Sequence, residues 1–283
     1  MVVVGGLLWK MRLLQELSSN LNKVFLFELN DGNRVEAVYY RGNTLCVSTQ
    51  VGCAIGCPFC LSGKSGLLRN LSAEEIILQY KLLKDRFEIK GIAFAGIGEP
   101  LMNWEAVEEA FWYFKALGLR VSFYTTGYPV KKLRELLALP HRGVSISVHS
   151  VKEETRKRLL PYAGSLESLI QTLREELSNM SLRKRKKISL AYLLLRGVND
   201  TEEELRDFAM LVKSLGVSAT LLRYNQTVGN FKDVEDWEYE RAFLLLKSYG
   251  IRVTLSTRFR KDPLGGCGTL VANRNPTMCL EGL

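Results

Sequence analysis

The stretch Val51–Leu71, VGCAIGCPFCLSGKSGLLRNL, decides how the rest of the chain is read. It places Cys53, Cys57 and Cys60 at the spacing C-x-x-x-C-x-x-C, with Gly56 and Pro58 bending the backbone between them. Iron–sulfur clusters are held by cysteine thiolates, normally one per iron. A loop with three cysteines therefore leaves one iron of a four-iron cluster without a protein ligand, open to a substrate or cofactor. Zinc is the alternative, because Cys46 upstream would complete a set of four thiolates. Zinc sites usually pair two short C-x-x-C knuckles across a longer loop, and here only Cys57 and Cys60 form one.

The bulk properties fit a protein built around such a centre. At 283 residues the chain has length for one large α/β unit with a sizeable core. Hydrophobic residues at 47% and charged residues at 24% describe an ordinary globular composition rather than disorder. The N-terminal run MVVVGGLLWKMRLL has no basic leader and no small-residue cleavage site, and no later run has the length of a membrane span. A cytoplasmic monomer with no membrane contact is the expectation. Six cysteines, three of them crowded into one loop, point to metal or redox chemistry rather than a secreted disulfide framework. The net charge of +9 favours a polyanionic partner. Basic residues cluster at Arg183–Lys187 (RKRKK), at Arg156–Arg158 (RKR), and at Arg258, Arg260 and Lys261.

Outward from the loop, apolar residues at Leu8, Met11, Leu14, Leu17 and Leu21 predict a short amphipathic helix over Leu7–Leu21. Two strands around Asn30-Asp31-Gly32-Asn33 predict a β-hairpin. A third strand, Thr44–Gln50, runs straight into the cysteine loop. Beyond it the chain alternates: strands near 90–95, 120–124, 144–148, 188–195, 218–222 and 252–256 are separated by helical stretches. Alternation of this kind implies βαβ units and a parallel sheet. The fold class is thus α/β, a partial (β/α) barrel of about six βα units. Residues 1–42 form an extension of helix and hairpin, and residues 43–283 form the barrel with a cysteine-bearing C-terminal segment. Such barrels place chemistry at the C-terminal ends of their strands. Those ends carry Cys53–Cys60, Gly96–Pro100, Thr125–Gly127, Ser147–His149 and Tyr224-Asn225.

Two partial motifs fail. Gly63-Lys64-Ser65 resembles the end of a P-loop, but Pro58 occupies the position of its first glycine. Gly96-Ile97-Gly98 starts a dinucleotide fingerprint that Pro100 and Leu101 break.

Taken together, several spacings resemble the RlmN/Cfr family of radical S-adenosylmethionine (radical SAM) RNA adenosine methyltransferases. The matching stretches are Thr44–Cys53 (TLCVSTQVGC), Cys57–Cys60 (CPFC), Arg69–Leu71, Glu74–Ile76, Gly98–Leu101 (GEPL) with Asn103, Ser147–His149 (SVH), Gly197–Asp200 (GVND) and Gly266–Leu270 (GCGTL). They span most of the chain, from about Lys23 to Leu270. The resemblance implies a 4Fe-4S cluster on Cys53, Cys57 and Cys60 whose free iron takes SAM. It also implies contacts to SAM from Gly98, Glu99, Ser147, His149 and Asn225, with Glu99 facing the SAM ammonium. Cys267 would carry a methyl group taken from a first SAM. A second SAM, cleaved reductively, would turn that group into a carbon radical that adds to an adenine carbon, C2 in preference to C8. Cys46 would remove the ring proton and release the product by a disulfide with Cys267, and Glu36 would be a proton acceptor. The implied partners are structured RNA, ribosomal or transfer, and an electron donor such as flavodoxin or ferredoxin.

Each residue also has a plainer reading. Cys46 on an apolar strand fits a small buried hydrophobe, Glu36 an outward hairpin residue, His149 a strand-end histidine and Asn225 a turn residue. Cys267, flanked by glycines in Leu264–Gly268, is placed to expose its thiol. Cys279 matches no family position. The chain also departs from the family pattern. Only about twenty residues precede the hairpin where relatives carry a helical domain, Tyr124-Thr125-Thr126-Gly127 replaces a serine-containing S-T-S-G, and glycine replaces alanine before Cys267. Two rival functions remain at this stage: a radical SAM enzyme of another reaction class, and a noncatalytic zinc module that binds nucleic acid.

Overall fold

The computed structural model describes residues 10–64, 66–227, 230–257 and 259–275. Cys279, Arg258 and the first residues of the expected N-terminal helix lie outside them. The described residues start with three antiparallel strands, β1 (Met11–Ser18), β2 (Asn22–Leu29) and β3 (Arg34–Tyr40). It continues through β4 (Thr44–Val47) and a small hairpin, β5 (Gln50–Gly52) with β6 (Leu67–Asn70), that frames the cysteine loop. Then follow α1 (Ala73–Lys81), β7 (Gly91–Phe94), α2 (Trp104–Ala116), β8 (Arg120–Thr125), α3 (Val130–Ala138) and β9 (Gly143–Ser147). The last part holds α4 (Glu153–Leu159), α5 (Leu166–Ser178), α6 (Leu182–Arg185), β10 (Ile188–Leu193), α7 (Glu202–Leu215), β11 (Ser218–Leu222), α8 (Asp236–Ser248) and β12 (Val253–Leu255).

Among the described residues ten strands form one sheet in the order β1-β2-β3-β4-β7-β8-β9-β10-β11-β12. From β4 onward every neighbour is parallel, as crossover helices require. The sheet does not close on itself: β4 meets β3 on one side and β12 ends the other. This is the expected partial barrel with its hairpin extension. Between sheet and helices, Phe94 and Phe123 stack with centroids 4.9 Å apart, backed by Trp104, Phe111 and Phe114, all buried. Each such ring contributes on the order of 2–3 kcal/mol by leaving water.

The N-terminal helix is corrected to a strand. Met11–Ser18 pairs antiparallel with β2, from Met11 opposite Leu29 to Ser18 opposite Lys23, with a bulge between Leu13 and Gln15. The bulge inserts one residue into the two-residue alternation. Met11 and Leu13 pack on one face with Phe25 and Phe27, and Leu17 falls on the other with Val24 and Val38. Apolar residues at Met11, Leu14 and Leu17 thereby acquire a three-residue interval that imitates a helix. The N-terminal extension is therefore a three-stranded antiparallel sheet continuous with the barrel.

Candidate active site

Seen from its parts, one cavity opens at the C-terminal ends of the parallel strands, and three walls define it. The first is the cysteine loop. Gly52, at φ +81°, leaves no room for a side chain: a Cβ there would stand 1.9 Å from the Gly66 carbonyl oxygen. That carbonyl accepts from Cys53 N at 3.0 Å and closes the base of the loop. Gly56, at φ +66°, makes the next turn beneath the Tyr162 ring. Cys53, Cys57 and Cys60 all line the cavity as free thiols, and burial pushes each of them up, Cys53 to about 12. Among the described residues no three His, Cys, Asp or Glu side chains converge as a single ion would need. Three thiols from one loop on one cavity suit an iron–sulfur cluster, which Cys53, Cys57 and Cys60 would hold.

The second wall is the strand-end rim. Gly98, at φ +109°, passes so close to Gln50 that a Cβ would clash at 2.7 Å. It delivers Glu99, 3% exposed, into the cavity. The Glu99 carboxylate accepts from Thr125 Oγ1, from Thr126 N at 2.7 Å and Oγ1 at 2.9 Å, and from Leu101 N at 3.2 Å. Burial raises its pKa against those hydrogen bonds, and among the described residues it has no cationic partner. A ligand ammonium at this point would supply one. The Thr125-Thr126 variation thus orients the carboxylate, and Tyr124 alone takes a different role. Ser147 lines the wall, beside Ser145, whose buried hydroxyl has no hydrogen-bond partner among the described residues. Sequence reading missed Ser145, although strand alternation from Ser147 places it on the same face. His149 holds a positive φ of 61° and sits edge-on to Phe59 at 5.6 Å. Its Nδ1 accepts from Leu193 N at 3.1 Å, and burial, reinforced by the nearby Arg156, lowers its pKa to about 3. The ring is neutral with its proton on Nε2.

The third wall is a strap, residues 259–275, that crosses the cavity mouth with Cys267 at its centre. Cys46 faces it from β4 with burial pushing its thiol up to about 12. Both thiols line the cavity, Cys267 exposed and Cys46 buried, and both are free. The glycines before Cys267 permit close packing. A Cβ on Gly266 would lie 2.2 Å from Asp262 O, and one on Gly265 would meet Val24 and Val38 at 2.9 Å. Long-range tethers hold the strap. Asn22 Nδ2 donates to Phe259 O at 2.8 Å, Leu61 N to Gly268 O at 2.9 Å, and Ser62 Oγ to Leu270 O at 2.8 Å.

Three expectations change here. Asn225 lines the cavity, but its amide donates to Arg260 O at 2.6 Å and Cys267 O at 2.9 Å, so it anchors the strap rather than presenting those donors to a ligand. Glu36 is fully buried outside the cavity lining, paired with Arg274 and accepting from Val271 N at 2.8 Å. Its carboxylate ties the strap to β3 from outside the cavity lining. The basic clusters also separate. Arg183–Arg185 lie in α6, which leads into the N-terminal end of β10, opposite the cavity. Arg156 is fully buried, with one nitrogen donating to Gly164 O at 2.7 Å. Arg260 turns inward to the cavity lining.

The chain matches the model of the radical SAM superfamily over residues 47–209, which takes in the cysteine loop and the rim from β7 to β10. It is 32% identical over 260 residues to the probable dual-specificity RNA methyltransferase RlmN of Pseudothermotoga lettingae, covering 87% of this chain and 74% of that one. It is 34% identical over 268 residues to the dual-specificity RNA methyltransferase RlmN of Solidesulfovibrio magneticus, covering 88% and 75%. A radical SAM methyltransferase from Sphaerobacter thermophilus superposes with a TM-score of 0.82 at 26% identity, over 92% of this chain and 81% of that one. Fold and site define a radical SAM enzyme, whose cofactors are a 4Fe-4S cluster and SAM. Within that superfamily the chain belongs to the RlmN family of RNA methyltransferases. Among the described residues no helix is long and apolar enough to cross a membrane.

Proposed function

We propose that this protein methylates a ring carbon of an adenosine, C2 in preference to C8, in structured ribosomal or transfer RNA, with Cys267 as the methyl carrier. The supporting observation is that Cys267 and Cys46 share one cavity with the three loop thiols and Glu99. A cluster held by Cys53, Cys57 and Cys60 would supply the electron for splitting SAM, a radical route that a ring carbon too poorly nucleophilic to attack SAM directly makes necessary. Glu99 holds the ammonium of SAM, with Ser147 and Ser145 along the same wall. Cys267 first takes a methyl by displacement: its sulfur bonds the methyl carbon, its proton leaves to solvent and S-adenosylhomocysteine departs. A second SAM, cleaved reductively, would take a hydrogen atom from that methyl and leave as methionine and 5′-deoxyadenosine, and the carbon radical then on Cys267 would bond the adenine carbon. Cys46 would remove the ring proton as the adduct gives up one electron, which would return to the cluster. The Cys46 sulfur then bonds that of Cys267 while the carbon keeps the electron pair of the broken C–S bond and takes a proton. An electron donor such as flavodoxin or ferredoxin serves the cluster.

Two masses test this reading. Intact protein purified from cells is expected to carry one methyl group on Cys267, and total RNA from cells with and without the gene is expected to differ in a methylated adenosine. An unmethylated Cys267 alongside active SAM cleavage would place the protein in another radical SAM reaction class.

A further inference from the structure

Arg260 is the cation of the cavity wall formed by the strap, and its surroundings are unusual for a shielded charge. Its guanidinium carbon stands 4.8 Å from the centroid of the Tyr124 ring, and Nη2 donates to the Tyr124 hydroxyl at 2.6 Å. Among the described residues Arg260 forms no ion pair with a carboxylate, whereas its strap neighbours Lys261 and Arg274 pair with Asp233 and Glu36. A guanidinium carries five N–H donors in one plane, and removing a charge from water without a counter-ion is costly unless a ligand accepts its hydrogens. The placement is tied to the carrier thiol: Cys267 N donates to Arg260 O at 3.1 Å, and Asn225 clamps the carbonyls of both residues. Cys46 and Tyr40 line the same end of the cavity.

We infer that Arg260, stacked on Tyr124, receives the target adenine and donates a hydrogen bond to a ring nitrogen beside the carbon that takes the methyl. The inference rests on the reading of this protein as an adenosine methyltransferase. A base is the better occupant than a phosphate. The flat faces of tyrosine and arginine stack on unpaired bases, and a base must leave its helix to reach thiols inside a cavity. Adenine C2 lies between N1 and N3, and C8 lies beside N7, so either carbon has an acceptor next to it. A cationic donor on that acceptor draws electron density from the ring and stabilises the charge that develops as an electron-rich carbon radical adds. The Tyr124 substitution in the S-T-S-G pattern then has a function: it supplies the face against which Arg260 is held.

The test uses cluster-loaded protein carrying Arg260→Gln or Arg260→Lys, with total RNA from cells lacking the gene as substrate. Three quantities are read separately: methyl on Cys267 by intact mass, 5′-deoxyadenosine released from SAM, and methylated adenosine in the RNA. Arg260→Gln is expected to keep its iron and the methyl on Cys267 while the turnover number for RNA methylation falls by about 10²-fold. Arg260→Lys, which keeps the charge but not the plane, should recover part of that loss. The inference is overturned if Arg260→Gln methylates RNA at the wild-type turnover, or if its defect is confined to SAM cleavage, which would assign the guanidinium to SAM. It is also overturned if Cys267 is no longer methylated, because Arg260 would then only position the strap. Wild-type protein without methyl on Cys267 and without RNA product would instead remove the methyltransferase reading itself.

Discussion

The cysteine loop and the C-terminal strap supply opposite walls of the cavity, and they are built by opposite means. The loop is local: Gly52 and Gly56 set its turns, its closing hydrogen bond joins Cys53 to Gly66, and its thiols fall within one short stretch. The strap has no regular structure, and its position comes from residues far away in sequence: Asn22 of β2, Glu36 of β3, Ser62 beyond the loop and Asn225 after β11. A local device is insensitive to distant changes and intolerant of its own. A tethered one should fail when a contact that ties it to a distant residue is lost, from either side of that contact.

Gly52→Ala gives the largest expected break in this contrast. The added Cβ overlaps the Gly66 carbonyl oxygen in a backbone conformation that disfavours side chains. The loop must open, at a cost of about 4 kcal/mol, and reconstituted protein should lose most of its iron. The strap should stay in place, so proteolysis between residues 259 and 275 should run at the wild-type rate. Normal iron content in Gly52→Ala would show that the loop is not fixed by its own backbone.

Arg274→Met attacks the strap instead. It leaves Glu36, 0% exposed, without its ion pair. Removing one partner of a buried pair costs about 3 kcal/mol, and here the strap can respond by lifting. Faster proteolysis between residues 259 and 275 is expected, with the iron content unchanged. Burial already raises the pKa of Glu36, even beside Arg274. Its carboxyl can therefore take a proton, and the defect should shrink as pH falls. A strap equally resistant to protease at pH 7.5 with and without Arg274 would rule out this tie.

The same contrast explains what could be read from sequence. The cluster cysteines, Gly98-Glu99 and Ser147 follow a spacing or a strand end, and the structure places them on one cavity. The partial barrel was legible because helical and strand periodicities alternate cleanly from β4 onward. What was not legible depends on long-range pairing. A bulge gave β1 the apolar interval of a helix. Asn225 and Glu36 looked like ligand and proton-transfer residues because nothing local shows that strap carbonyls and Arg274 occupy them. RKRKK read as an RNA-facing cluster because charge runs do not say which end of a barrel they occupy.

The smallest predicted effect distinguishes the two regions by sign. His149 packs on Phe59 of the cysteine loop, 4% exposed, with its pKa lowered from 6.5 to about 3. Between those values the unfolded chain takes up a proton that the folded chain refuses. The stabilising contribution is therefore fully present above pH 6.5 and is lost as pH falls, by up to about 1.4 kcal/mol per unit. Glu36 under the strap has its pKa raised, so in the acid range the folded state binds its proton more readily and that side is relatively favoured as pH falls. Acid should thus loosen the loop before the strap. Urea midpoints measured from pH 7 to pH 4.5 on metal-free protein should fall more steeply for the wild type than for His149→Gln. The remaining slope belongs in part to His141, whose pKa burial lowers to about 4. Equal slopes would mean that His149 takes up its proton in the folded state, and the loop wall would then be open to water where the structure closes it.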